Sequence, residues 1–178
     1  MIEPRGRTSK SRLHGLALGL LFASCASPAP DDRSSFTLPP REGFEPVSDV
    51  LQARCGSLDC HGQTGRSLRI YGTSGLRLDP SDLPGTDGGV TRATEHDANY
   101  ASVVALEPEL LSSVFQDGGR NPERLTLIRK ARGLEEHVGG AASPRASDGD
   151  RCLVSWLSAV VDVPACRSAA LIERPVAR

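Results

Sequence analysis

Methionine is almost missing from this chain: the single one is Met1. No later segment can therefore supply a thioether ligand from methionine. Aromatic residues make up only 4% of the sequence, and beyond residue 24 they reduce to Phe36, Phe44, Tyr71, Tyr100, Phe115 and Trp156. A domain so poor in rings gains from a covalent staple or a bound apolar group that completes its core. No apolar run approaches the ~20 residues that a membrane-spanning helix needs. Lysine is confined to Lys10 and Lys130 against 19 arginines, a bias of composition that marks no binding surface. Excess positive charge is lacking as well. From residue 25 onward 17 basic residues face 21 acidic ones, which argues against a nucleic-acid-binding protein.

What is present begins with an export signal. Arg5, Arg7, Lys10 and Arg12 form a basic leader, and Leu16 to Phe22 form a short apolar run. Ala23 and Ser24 are small, and Cys25 follows. The pattern resembles a bacterial lipobox, although Phe22 stands where leucine is usual. The resemblance implies cleavage before Cys25, lipidation of its thiol, and an envelope protein facing the periplasm or the cell surface. Residues 1–24 are thus expected to be a signal peptide, and a simple secretory signal cut elsewhere is the alternative.

Residues 25–43, rich in Pro, Ser and Asp, read as a flexible tether, since they cannot bury enough apolar surface to fold alone. Fully extended, about 18 such residues reach roughly 60 Å. A folded domain is expected over 44–166, with 167–178 as a C-terminal tail. Its pattern is mainly α, with long loops. Val47, Val50, Leu51 and Cys55 share a helical face behind Pro46. Residues 67–78 suggest a short hairpin or an extended loop. Helices are expected near 94–106, restarting at Pro108, and over 122–132. A last helix, capped by Asp148 or Asp150, carries Cys152, Leu153, Trp156, Leu157, Val160 and Val161 and stops at Pro164.

Setting Cys25 aside leaves Cys55, Cys60, Cys152 and Cys166, an even set in an oxidising compartment. The chemically specific segment is Cys55-Gly-Ser-Leu-Asp-Cys60-His61-Gly62. Two cysteines with a histidine directly after the second suit covalent haem attachment, in which one short turn anchors the porphyrin and also supplies an iron ligand. The gap between the cysteines is four residues where two is usual, and Gly56 would ease the wider loop.

The segment Phe44 to Cys55, then Gly75-Leu-Arg-Leu-Asp79, Pro122 to Lys130, His137-Val-Gly-Gly140 and Trp156-Leu157 together resemble a cytochrome c-like domain of bacterial cell-surface proteins. The resemblance spans about 44–161 and implies a small helical domain around one covalent haem c. It would be an electron carrier rather than a catalyst, working with a redox partner protein and held to the membrane by lipid at Cys25. Cys55 and Cys60 would bind the haem, and His61 would ligate the iron. With methionine excluded, His137 in the Gly-rich turn is the leading sixth ligand, ahead of His96. A His/His pair gives a lower potential than His/Met, whereas an open site would favour small ligands or peroxide.

Other readings of the same residues stand beside this one. A Cys55–Cys60 disulfide would make the protein a haem-free, disulfide-stapled surface lipoprotein with a binding or structural role. A zinc site is disfavoured by the ligand spacing and by the oxidising compartment. Cys152 and Cys166 are expected to pair and tie the chain's end to the last helix, with crossed pairings to Cys55 or Cys60 as the competitor. Phosphate-loop and nucleophile-elbow patterns are lacking.

Overall fold

The computed structural model describes residues 35–82 and 90–171. The expected signal peptide, Cys25 and the first part of the tether lie outside the described residues. Among the described residues the domain is helical and contains no strand. The helices are α1 (Glu45–Cys55), α2 (Ala93–Val104), α3 (Pro108–Gln116), α4 (Thr126–Arg132), α5 (Asp148–Trp156) and α6 (Val163–Leu171), with one 3-10 turn at Pro122–Arg124 ahead of α4. None is long and apolar enough to cross a membrane.

Local chemistry explains where these helices begin and end. α1 carries Pro46 in its first turn, where the missing N–H has no helical acceptor to lose. Glu45 at its start and Arg54 at its end match the helix dipole. Val47, Val50 and Leu51 are buried on one face, as the spacing predicts. α4 stops at Gly133, whose left-handed backbone (φ 72°) is the usual way to close a helix. The core joins Phe44, Val47, Leu51, Ile128, Trp156 and Leu157. α1 packs against α5 and α6, and α5 also packs against α6.

The structure departs from the sequence reading at four places. The compact part begins before residue 44. Pro39 is fully buried, its carbonyl accepts the Tyr100 hydroxyl (2.7 Å), and the Pro40 carbonyl accepts the Trp156 indole N–H (3.3 Å). A proline-rich strap loses little entropy on docking and still offers its carbonyls. Ser147, not Asp148 or Asp150, caps α5 by accepting the Asp150 N–H. Asp150 is instead buried in an ion pair with Arg132 (2.7 Å).

The last helix ends at Trp156, and Val160 is exposed past a left-handed turn at Ala159 (φ 63°). Pro164 then sits in the first turn of a further helix, α6, which runs beyond the expected boundary at 166. Asp162 starts that helix: its carboxylate accepts from the Ala165 N–H and its carbonyl from the Cys166 N–H. Residues 67–78 take the extended-loop alternative, with no hairpin. They lie as irregular chain fastened by side chains of α2, with Ser102 Oγ accepting from the Arg69 N–H and Asn99 bonded to both backbone groups of Tyr71.

Candidate functional site

The turn after α1 is built by backbone contacts. Gly56, Gly62 and Gly75 meet so closely that a Cβ on Gly62 would lie 2.0 Å from the Gly56 oxygen and 2.7 Å from the Gly75 Cα. Only glycine fits such a crossing. The Cys60 N–H bonds to the Ser57 carbonyl, the His61 N–H to the Cys55 carbonyl, and the Gly62 N–H to the Ser57 carbonyl, each at 2.9 Å. The four residues between the cysteines thus close a compact loop that keeps Cys55, Cys60 and His61 on one side.

All three side chains line a cavity of about 520 Å³. That lies within the roughly 300–1,000 Å³ typical of small-molecule and cofactor sites. His137 lines it from the loop after α4, together with Arg66 and Lys130. Leu68, Leu106, Leu127 and Ala131 supply apolar wall. A second cavity, among Val103, Leu111, Ile128 and Trp156, has about 10 Å³ and is core packing with room for at most a water.

The histidine geometry is specific. The His61 Nδ1 lies 2.9 Å from the Leu68 carbonyl oxygen. A carbonyl only accepts, so Nδ1 holds the proton and the neutral ring keeps its lone pair on Nε2. This is the arrangement in which a second partner fixes the tautomer of a metal-binding imidazole. Burial holds the His61 pKa below its ordinary value against the bond to Leu68, and His137, Arg66 and Lys130 add to the lowering. The ring is therefore neutral and able to donate electrons near pH 7. His137 lies across from it, with ring centroids 5.8 Å apart and planes 20° from parallel. Its Nδ1 is buried without a hydrogen-bond partner.

The structure thus gathers Cys55, Cys60, His61 and His137 at one cavity. His96, the other candidate ligand, is buried on α2 and is not among the residues lining it. Cys152 and Cys166 form a disulfide between α5 and α6, the pairing expected from the sequence. Among the described residues no group of three or more His, Cys, Asp or Glu is placed to hold a metal ion. A metal carried by a macrocycle would need fewer protein ligands than a bare ion.

Arg66, Lys130 and the wall of leucines escaped the sequence reading. One signal was available: Leu127, Lys130 and Ala131 share a face of α4 at i, i+3 and i+4 spacing. The Leu68 carbonyl carries no signal in the sequence at all. No family model, curated protein or solved structure matches this chain.

Proposed function

We propose that this domain is a monohaem c-type cytochrome-like electron carrier, tethered to a membrane of the cell envelope by lipid on Cys25. The observation that carries the reading is the convergence of Cys55, Cys60, His61 and His137 on one apolar-walled cavity, with the His61 Nδ1 committed to the Leu68 carbonyl. The residues fit the group: two cysteines for the vinyl substituents, a neutral imidazole nitrogen for the iron, and a buried ring nitrogen on His137 with no protein partner. Each thiol would add across a vinyl double bond, sulfur to one carbon and hydrogen to the other, so attachment needs no oxidant. Arg66 and Lys130 also line the cavity, and their positive charge would suit haem carboxylates. When bound, the haem supplies reversible one-electron transfer.

Expression in a host with haem-attachment machinery tests the reading. The expected product has a Soret band and a haem mass that survives acid denaturation. A colourless protein of unmodified mass, with a Cys55–Cys60 bridge found under non-reducing conditions, would instead identify a haem-free stapled surface module. Cys25→Ala is expected to move the protein from the membrane fraction to the soluble fraction.

A further inference from the structure

His61 and His137 face each other, but they are held unequally. His61 is fixed by its ring bond to Leu68, by its N–H to the Cys55 carbonyl and by its own carbonyl, which accepts the Ile70 N–H (2.9 Å). The glycine crossing at Gly62 locks the next residue. His137 has no such support. Its ring nitrogen Nδ1 is unpartnered, and its carbonyl accepts only from Gly140 within the same turn (2.8 Å).

One anchor of this loop falls on the turn itself, where Lys130 Nζ donates to the Glu136 carbonyl (3.3 Å), and the others lie on either side of it. On one side Glu135 pairs with Arg129 (2.9 Å) and Lys130 (2.8 Å), in partly exposed ion pairs that are each worth little. On the other, the Ala142 carbonyl accepts from the Arg54 guanidinium and the Ser143 N–H bonds to the Ala131 carbonyl. Gly133 (φ 72°) and Gly140 (φ 60°) bracket the segment with left-handed backbone, Gly133 packed closely against Ala141 and Gly140 in the open. A Cβ on Gly140 would meet nothing within 4 Å, and Val138 is fully exposed. The turn therefore has room to move outward.

Resting on the haem reading, we infer that His137 is an exchangeable wall of the cavity. The 136–140 turn pivots at Gly140, withdraws the imidazole, and admits a small uncharged diatomic molecule opposite His61. Ala131 and Ala142, which line the cavity outside the moving turn, are small and apolar and leave room for a small ligand. The site would then bind gas molecules as well as pass electrons.

Carbon monoxide is the probe, mixed with the haem-loaded full chain after reduction by dithionite. The expected result is a CO-shifted Soret band whose rate of appearance reaches a plateau at high CO, set by departure of His137. His137→Ala is expected to lose the plateau, so that the rate climbs in proportion to CO. A loaded wild-type protein that ignores CO while His137→Ala binds it would show a fixed ligand and overturn the inference. Identical, plateau-free binding by both would overturn it too. Absence of any Soret band would sink the haem reading itself. Amide exchange of the haem-free chain tests the hinge separately: residues 134–140 are expected to exchange faster than 61–70, and equal protection would remove the pivot.

Discussion

The imidazoles of His61 and His137, 76 positions apart in the chain, lie within 20° of parallel with centroids 5.8 Å apart. Only His61 has its other nitrogen tied down, to the Leu68 carbonyl. The first prediction follows from that bond. In the haem-free protein, nitrogen-resolved NMR of the side chains is expected to place the His61 proton on Nδ1 and leave Nε2 bare. A ring protonated on Nε2 would mean that the Leu68 bond is not made and that the ring is not preset for ligation.

The glycine crossing gives a second prediction by contrast. Gly62→Ala drives a methyl group into the backbone at Gly56 and Gly75, where nothing can yield cheaply. It is expected to cost about 3 kcal/mol or more and to lower the melting temperature by well over 5 °C. Gly65 has a left-handed backbone (φ 82°) but open surroundings, so Gly65→Ala should cost only about 1 kcal/mol. Thermal melts of the two variants check the order. Equal losses would show that the crossing is not tight.

These glycines show what could and could not be read in advance. Cys55, Cys60 and His61 were legible as one cluster because they are close neighbours in the chain. α1 to α4 were legible because their apolar residues recur at helical spacing. α6 was missed because proline was taken as a stop, when Asp162 makes it a start. The strap over Leu38 to Pro40 was missed because composition cannot say whether a proline-rich stretch finds carbonyl acceptors a docking face. The gathering of His137 with His61 depends on long-range packing, and only its Gly-rich setting hinted at it.

The disulfide between Cys152 and Cys166 closes a loop of sequence separation 14 and joins two helices that form one side of the core. Restricting the unfolded chain over such a loop is worth about 3 kcal/mol. Cys152→Ala/Cys166→Ala is expected to lower stability by that amount in urea unfolding. The turn around Cys55 to His61 lies outside the loop, so the nitrogen shifts of the His61 side chain should be unchanged. A changed shift would show that the α5–α6 pair also shapes the site.

The buried pair Arg77–Glu95 sets the acid limit of the fold. Glu95 is 1% exposed, and burial by itself would raise its pKa. The Arg77 guanidinium reaches both carboxylate oxygens (2.7 and 2.8 Å), and the N–H groups of Arg92 and Leu78 donate to them as well. These bonds prevail and hold the pKa at about 2, well below the ordinary 4.5. Because the folded value is the depressed one, the stabilisation is complete above pH 4.5 and drains away as the pH falls toward 2. Its size is about 3 kcal/mol from the linkage relation. Unfolding free energy measured in urea between pH 6 and pH 2.5 is therefore expected to fall, with a steeper slope than in Glu95→Gln. That variant leaves Arg77 charged and buried without its partner, so it should start about 3–5 kcal/mol lower at pH 7. Equal slopes in the two proteins would show that Glu95 is not the group whose protonation loosens the fold.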